Sequence, residues 1–281
     1  MNGGVFAVVM LAAALHAGWN ALVKGGADKS AAMVAVVLGQ GLLGALLLPF
    51  VPFPAPESWP LLLGSVALHI FYQVFLIQSY RFGDLTQVYP VARGVAPLLV
   101  ALTSALVLGV TFSGLEMLAI AMISIGIASV SLVRRGDGMV QGKAAILALI
   151  TGCFIAAYSV TDGQGARLAG TALGYFGLLA MLDAVIFAGF AQVFRPGLLG
   201  RALRQRRSLL LGGGASFIAY ALVVWAFTQA PIALVTALRE TSIIFALMIG
   251  VFLLGERLSL TKVLSTALTL AGAILLRVGR V

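Results

Sequence analysis

Long uncharged apolar segments alternate with short polar segments along the whole chain. The stretches 42–50 and 243–254 are almost entirely hydrophobic. A segment of about twenty apolar residues, wound as an α-helix, crosses the roughly 30 Å of a bilayer's hydrocarbon core. A membrane β-barrel would instead alternate apolar and polar residues over about ten positions. The pattern therefore predicts an all-α membrane protein.

Ten of these segments are predicted to be transmembrane helices. The first has no preceding basic residue and is longer than the roughly 7–15 apolar residues of a signal peptide, so we interpret it as a membrane helix. The predicted spans are 3–23, 31–50, 59–80, 85–108, 112–133, 144–161, 171–193, 209–228, 232–254 and 258–277.

An internal repeat relates the two halves of the chain. A shift of 146 residues lays the helix pair 85–133 on the pair 232–277 without a gap, so that Arg93 falls on Arg239 and Gly126 on Gly272. Apolar matches alone would arise by chance, but an arginine, two glycines and a serine in register indicate a duplication. The other matching pairs are Leu108 and Leu254, Gly109 and Gly255, Ser113 and Ser259, Leu118 and Leu264, and Ala121 and Ala267.

Five predicted helices per half is an odd number, which fixes how the halves are arranged. Two such halves joined by a short linker enter the membrane from opposite sides and form an inverted repeat, an architecture typical of carriers. The predicted domains are a first five-helix repeat over 1–133, a linker over 134–143 and a second five-helix repeat over 144–281.

Composition and charge agree with a membrane protein. Hydrophobic residues make up 61% of the chain and charged residues 10%, against roughly 45–50% and 25% in soluble domains. The net charge of +9 lies mostly in predicted loops, which is the positive-inside signal rather than a nucleic-acid-binding pattern. One basic loop is expected to contact anionic lipid; it carries Arg195, Arg201, Arg204, Arg206 and Arg207.

Two arginines inside predicted spans are the first candidates for a binding site. An ionisable residue at the centre of a membrane helix costs at least about 2.5–3.5 kcal/mol, so each needs a compensating interaction. The repeat relates Arg93 to Arg239, and both could line a central cavity and attract a substrate carboxylate. The alternatives are a structural ion pair with Asp183 or Glu240, or snorkelling to the headgroups.

The acidic residues within the spans have different expected roles. Asp183 is the most isolated acid in the chain, and either a proton-carrying role or an ion pair with an arginine would explain it. Glu240 directly follows Arg239, and neighbouring helical residues point about 100° apart, so one of the two should pair with another helix. Asp162, near the predicted end of a span, is expected to be in contact with water.

Polar and aromatic side chains could complete an amphipathic cavity wall. His16, Trp19 and Asn20 share roughly one face of the first predicted helix. A similar group recurs on the third: His69, Tyr72 and Gln73. Aromatic residues on later helices extend this set, although Trp and Tyr also gather at membrane interfaces; these residues are Tyr89, Tyr158, Tyr220 and Trp225.

Two prolines and a glycine surround Arg93 in the fourth predicted helix. Pro90 and Pro97 lack backbone donors, and Gly94 loosens the helix between them. Interrupted helices line binding sites in carriers. The sequence therefore predicts that this helix bends or unwinds between Tyr89 and Pro97.

Catalytic patterns do not occur in the sequence. It has no glycine-rich phosphate loop, no Ser-His-Asp set and no metal-ligand spacing of the His-Glu-x-x-His type. A single cysteine excludes an intramolecular disulfide. We therefore expect neither an enzyme nor a cofactor or metal site.

Three motifs resemble those of a known transporter superfamily. They are Gly18-Trp19-Asn20, the segment TQVYPVARGVAPLL over 86–99, and ALVTALRETSIIFALMIGVFLLGERLS over 233–259, in which Gly255-Glu256-Arg257 ends the ninth helix. Over essentially its whole length the chain resembles the drug/metabolite transporter superfamily, EamA type. In the first half the matching glutamate is absent, because Gly109 is followed by Val110.

The resemblance implies a ten-helix secondary carrier that exports a small organic metabolite by alternating access. The branch that it resembles exports amino acids, including aromatic ones. The small multidrug branch uses an acid in helix 1 to exchange protons for cations, and here that helix has none. Two alternatives stay open: a carrier of nucleotide-linked or phosphonate-type metabolites, and a membrane enzyme or lipid flippase. The expected partners are the small-molecule substrate and membrane lipids, with no nucleic acid, in a monomer or weak homodimer.

Topology follows from the basic residues of the predicted loops. One side of the membrane would carry 13 lysines and arginines and the other, which holds both termini, only 3. Since basic residues in short loops stay in the cytoplasm, both termini are predicted to face the periplasm of a bacterial inner membrane. The resemblance implies the opposite, with both termini inside.

Overall fold

The computed structural model describes residues 2–24, 28–82, 85–129, 142–252 and 260–278. Within these ranges every regular element is a helix, and 7 helices are long and apolar enough to cross a membrane. Three shorter apolar helices cover Ala92–Leu106, Gly114–Ser129 and Val263–Val278. The predicted all-α membrane class is confirmed, whereas the count of ten spans remains a prediction.

The helix bounds follow most of the predicted spans closely, but the helix Gly142–Leu168 continues beyond the predicted span 144–161, the short helix Leu198–Arg204 lies outside the predicted spans, and the span 232–254 is interrupted. The α-helices are α1 Gly3–Lys24, α2 Lys29–Leu47, α3 Trp59–Phe82, α4 Leu85–Leu106, α5 Gly114–Ser129, α6 Gly142–Leu168, α7 Ala172–Phe194, α8 Leu198–Arg204, α9 Gly213–Gln229, α10 Ile232–Arg239, α11 Ser242–Phe252 and α12 Leu260–Val278. A π-helical turn, Ser208–Gly212, precedes α9.

Capping side chains fix where two of these helices begin. The Asp28 Oδ1 accepts a hydrogen bond from the Ala31 N–H (3.0 Å) at the start of α2, and the Thr171 Oγ1 accepts one from the Gly174 N–H (3.0 Å) at the start of α7. The Ala31 N–H, together with the nearby Arg201 guanidinium, holds the pKa of Asp28 below its ordinary value. Both caps satisfy donors that a helix leaves unpaired at its first turn.

The chain divides into two compact units. Unit 1 comprises Met1–Met10, Phe71–Val160 and Ala230–Val281, and unit 2 comprises Leu11–Ile70 and Thr161–Gln229. Each unit takes segments from both predicted halves, 1–133 and 144–281, so the compact units cut across the sequence repeat. The predicted linker 134–143 lies almost entirely outside the described residues.

Aromatic residues of α7 and α9 form much of the core of unit 2. The Phe176 ring lies 5.0 Å from that of Phe217 and 5.1 Å from that of Tyr220, measured between ring centroids. Tyr175 is completely buried in the same cluster, where Leu62 of α3 also packs. Aromatic pairs at such distances stabilise a core beyond the area that they bury. The packing brings α3, α6, α7 and α9 around one region of unit 2.

In unit 1, α5 packs against α12 through two glycines that the repeat relates. A Cβ on Gly126 would lie 2.6 Å from the Thr269 Oγ1, and a Cβ on Gly272 would lie 2.8 Å from the Ile123 Cγ1. The shift of 146 residues relates Gly126 to Gly272 and Ile123 to Thr269. Gly126 packs against Thr269, and its repeat partner Gly272 packs against Ile123, the repeat partner of Thr269. The two glycines therefore make reciprocal contacts between α5 and α12.

The ninth predicted helix, 232–254, is interrupted, which is the first difference from prediction. The Glu240 N–H donates to the Ala237 carbonyl oxygen (3.1 Å) and the Thr241 N–H to that of Leu238 (3.0 Å). The Thr241 hydroxyl also donates to the Leu238 carbonyl oxygen (2.7 Å). These bonds span three residues rather than four, so the backbone winds more tightly here and separates α10 from α11.

The second difference concerns α4, which is a continuous α-helix from Leu85 to Leu106. The helix is therefore not unwound between Tyr89 and Pro97, and the alternative of a bend stays a prediction. A proline inside a helix removes one backbone hydrogen bond and crowds the carbonyl group of the preceding turn, although its fixed backbone angle suits a helix. Gly94 lies against α5, where an added Cβ would be 2.9 Å from the Ser124 carbonyl oxygen. This close packing supports the helix at the position where unwinding was expected.

Candidate functional site

Two buried arginines and one glutamate meet in unit 1. The exposed fractions are 4% for Arg93, 3% for Arg239 and 2% for Glu240. The Arg93 Nε donates to the Glu240 Oε2 at 2.7 Å, and the Arg239 Nε lies 3.7 Å from the Glu240 Oε1. The repeat-related arginines thus converge on a single carboxylate, and the ion-pair alternative applies to Arg93.

The break between α10 and α11 positions this carboxylate. Arg239 is the last residue of α10 and Glu240 is its cap. A helix carboxyl end favours a cation through its dipole, which suits the Arg239 guanidinium. One turn earlier, the fully buried Thr236 hydroxyl has no hydrogen-bond partner within the described residues. The three charged side chains together carry +1.

The first half of the repeat offers no matching acid. The shift of 146 residues places Glu240 on Gly94. Gly94 packs so tightly against α5 that a Cβ would lie 3.1 Å from the Ala128 backbone nitrogen. A glutamate side chain would not fit there without displacing α5. The duplication therefore keeps both arginines but only one carboxylate.

A second buried carboxylate lies in unit 2. Asp162 of α6 is 0% exposed, and its Oδ2 accepts a hydrogen bond from the Tyr220 hydroxyl at 2.6 Å and lies 3.1 Å from the His69 Nε2. Its Oδ1 accepts from the Ser65 hydroxyl and, at 3.4 Å, from the Tyr175 hydroxyl. The expectation of a water-exposed Asp162 is wrong, because α6 continues to Leu168 and three other helices surround this position.

Comparison with known proteins gives a family match in the second half of the chain. Residues 142–278 match the EamA-like transporter family. This EamA-like domain contains both carboxylates, Asp162 and Glu240, and Arg239. The match confirms the transporter resemblance for that half.

A solved structure described as "Crystal structure of protein" has a TM-score of 0.74 and covers 98% of this chain and 96% of its own. Its sequence is 20% identical, so the likeness concerns the fold alone. The comparison with curated proteins gave no match.

Other predicted residues of the EamA-like domain lie in different surroundings. The Tyr158 ring is 5.5 Å from the Tyr72 ring in an edge-to-face arrangement in unit 1. Asp183 is buried in α7, whereas Trp225 of α9 is 37% exposed. An aromatic side chain with that exposure also suits a lipid-facing position.

The remaining predicted residues belong to α1, α3 and α4. The His16 and Trp19 rings are in edge-to-face contact at 5.1 Å, and the Asn20 Nδ2 donates to the His16 carbonyl oxygen at 2.7 Å. Gln73 is buried in α3. The Tyr89 side chain lies outside the described residues.

The predicted site residues therefore divide between the two units. The sequence missed Ser65, Tyr175 and Asp162 and did not connect His69 with Tyr220. A signal was present, since Ser65 and His69 are four residues apart on the polar side of α3 that continues to Tyr72. Unit 1 holds Tyr72, Gln73, Tyr89, Arg93, Tyr158, Arg239 and Glu240, and unit 2 holds His16, Trp19, Asn20, His69, Asp183 and Trp225.

Proposed function

We propose that the protein is a bacterial inner-membrane secondary transporter that exports a small organic metabolite by alternating access. The EamA-like domain over 142–278 and the 7 membrane-spanning candidates support membrane transport of small molecules. The proposed architecture is ten helices in two inverted repeats, with the basic loops in the cytoplasm. The reciprocal packing of Gly126 and Gly272 supports the repeat.

The proposed substrate class is amino acids, including aromatic ones. The observation that carries it is the convergence of Arg93 and Arg239 on Glu240 in unit 1. A guanidinium presents a planar set of donors that matches a carboxylate. Because the three side chains sum to +1, a bound carboxylate would bring them to neutrality in a region where net charge is costly. The Tyr72–Tyr158 pair in the same unit supports an aromatic substrate.

Transport assays in proteoliposomes test this function. The purified protein would be assayed for exchange of radiolabelled amino acids, with nucleotide-linked metabolites, phosphonates and lipids as the competing classes. Arg239→Ala should reduce amino-acid exchange about tenfold or more, as expected when a charge-assisted hydrogen bond is lost. Arg239→Lys should restore part of the rate, because it keeps the charge but not the planar donors.

Arg204→Ala is the matched control, since Arg204 is exposed on α8 and its loss should leave exchange and expression unchanged. An equal loss of exchange and of folded protein in Arg239→Ala would assign Arg239 a structural role. Exchange of phosphonates or nucleotide-linked metabolites in place of amino acids would favour the other carrier class, and turnover or flipping of lipids would overturn the carrier proposal.

A further inference from the structure

Within the described residues, the hydrogen-bonding partners of the buried Asp162 carboxyl group are three hydroxyl groups and one imidazole. Ser65, Tyr175 and Tyr220 contribute hydroxyl groups, and His69 contributes its Nε2. Tyrosine and serine hydroxyls stay neutral at physiological pH. Within this cluster, Asp162 is neutral only when its carboxyl group carries a proton. When Asp162 is ionised, only a proton on His69 can balance its negative charge.

The hydrogen-bond geometry allows either location. An ionised carboxylate only accepts, and four neighbours lie where they can donate to its two oxygens. If the proton resides on Asp162, the neutral imidazole can accept a hydrogen bond from the carboxyl group at Nε2. Each hydroxyl group can also rotate so that it accepts a hydrogen bond instead of donating one. The pair thus has two bonded states that differ in the position of a single proton.

We propose that Asp162 and His69 form a proton-binding site that couples proton movement to the transport proposed above. The coupling rests on that transport function, whereas the proton binding does not. The protonated carboxyl of Asp162 passes its proton to the His69 Nε2, which leaves a carboxylate beside an imidazolium. The imidazolium then releases a proton to water and becomes neutral.

Burial supports His69 as the point of exchange. The His69 side chain is 13% exposed whereas that of Asp162 is 0% exposed, and Ser65 and Tyr175 are buried as well. Imidazole groups serve as proton shuttles in proteins. A proton can therefore reach the buried carboxyl group through the imidazole.

A further charged side chain of α6 bonds to the backbone of α9. Arg167, five residues further along α6, donates its Nε to the Phe227 carbonyl oxygen at 2.9 Å. From α3, α7 and α9 the titratable groups that contact Asp162 are His69, Tyr175 and Tyr220. The pair is therefore the part of the cluster where a proton can be exchanged between a carboxyl group and an imidazole.

The chain positions of the pair suit coupling. His69 is two residues before α3 passes from unit 2 to unit 1, and Asp162 is two residues after α6 passes from unit 1 to unit 2. A change from a neutral pair to an ion pair alters the strength of the bond between these two helices. Proton release would then weaken the His69–Asp162 contact between α3 and α6.

Spectroscopy on the purified full-length protein in lipid nanodiscs tests proton binding without a substrate. Infrared spectra of protein labelled at the aspartate carboxyl carbon report protonated aspartate, and nitrogen NMR of labelled histidine reports imidazolium. At about pH 5, one proton should be present on Asp162 or His69, and raising the pH across the imidazole range to about 8 should remove it. Asp162→Asn should abolish the aspartate signal, and His69→Gln should leave the proton on Asp162.

Asp183→Asn is the matched control, because Asp183 is also buried in the membrane-spanning part of the EamA-like domain. It should leave the signals of the pair unchanged. An ionised Asp162 beside a neutral His69 throughout this pH range would overturn the proposal. The proposal would also be overturned if Asp183→Asn lost the protonated-aspartate signal and Asp162→Asn kept the wild-type spectrum. If Asp162→Asn does not fold, the His69→Gln spectrum decides alone.

A pH gradient across proteoliposomes tests the coupling. With one proton per solute, a gradient of about one pH unit would drive up to about tenfold accumulation, since each factor of ten corresponds to about 1.4 kcal/mol. Asp162→Asn and His69→Gln should lose this accumulation while keeping exchange without a gradient. If the pH gradient does not change the exchange by the wild-type protein, the coupling is overturned. If the protein exchanges no solute but shows the expected proton signal, only the transport function is overturned.

Discussion

Two buried carboxylates of the EamA-like domain are neutralised in opposite ways. Glu240 lies beside two guanidinium groups, 2.7 Å from the Arg93 Nε and 3.7 Å from the Arg239 Nε. Asp162 lies among hydroxyl groups and one imidazole. Arginine stays charged at any physiological pH, so the charges around Glu240 are fixed. Those around Asp162 depend on a proton.

This difference indicates different tasks for the two clusters. A fixed arrangement with a charge of +1 suits the binding of an anionic group and does not change with pH. A cluster that becomes neutral only with a proton suits ion coupling and does not attract a carboxylate. The comparison fits the two proposals made above, in which unit 1 recognises the substrate and unit 2 binds a proton. Variants of the two acids separate these roles.

The largest expected effect is the loss of stability in Glu240→Gln. This change leaves two buried guanidinium groups without the carboxylate that both approach, and breaking a buried ion pair costs about 3–5 kcal/mol. Thermal unfolding of the purified variant in detergent should show a correspondingly lower transition temperature. Glu57→Gln is the control, because Glu57 is exposed and should change stability by about 0.5 kcal/mol or less.

A double variant sharpens this prediction. Arg93→Gln combined with Glu240→Gln should lose less stability than the two single changes added together, because groups in direct contact are not additive. If Glu240→Gln unfolds at the same temperature as the wild-type protein, the contacts of the carboxylate with the two arginines do not stabilise the fold.

Asp162→Asn should destabilise the protein less than Glu240→Gln. An amide is neutral, as the protonated carboxyl is, and it leaves no unbalanced cation behind. The expected cost of about 1–3 kcal/mol comes from neighbours whose hydrogen bonds are imperfectly replaced. The same unfolding assay compares the two variants directly, and a larger loss for Asp162→Asn would contradict the balancing of the Asp162 charge by a proton.

The sequence predicted the helices and the arginines better than the polar cluster in unit 2. Arg93 and Arg239 are conspicuous because they lie within apolar segments, and the adjacency of Arg239 and Glu240 correctly indicated that one of them pairs with another helix. Asp162 was missed because the polar residues around it resemble a helix end. Its partners Ser65 and His69 are 97 and 93 residues away along the chain, so the polar side of α3 is visible in the sequence but its contact with Asp162 is not.

The break at Glu240 was missed for a related reason. Helix interruptions are usually predicted from proline or glycine, and neither occurs from Ala233 to Ile249. The tighter winding depends on the Thr241 hydroxyl bond to Leu238 and on the contact with Arg93 from a distant helix. Both features become visible only when α4 and α10 are packed together.

The smallest expected effect distinguishes two tyrosines that contact the same carboxyl group. The Tyr220 hydroxyl is 2.6 Å from the Asp162 Oδ2, whereas the Tyr175 hydroxyl is 3.4 Å from the Oδ1. Since hydrogen bonds weaken with distance, Tyr220→Phe should lower the free energy of unfolding more than Tyr175→Phe. A bond between neutral groups contributes about 0.5–1.5 kcal/mol, and one to a charged group about 1.5–3 kcal/mol. If Asp162 is protonated, the loss for Tyr220→Phe should fall in the lower range when unfolding is measured near pH 5. A loss in the higher range, with an equal loss for Tyr175→Phe, would indicate an ionised Asp162 held by both hydroxyls and would remove the contrast with Glu240.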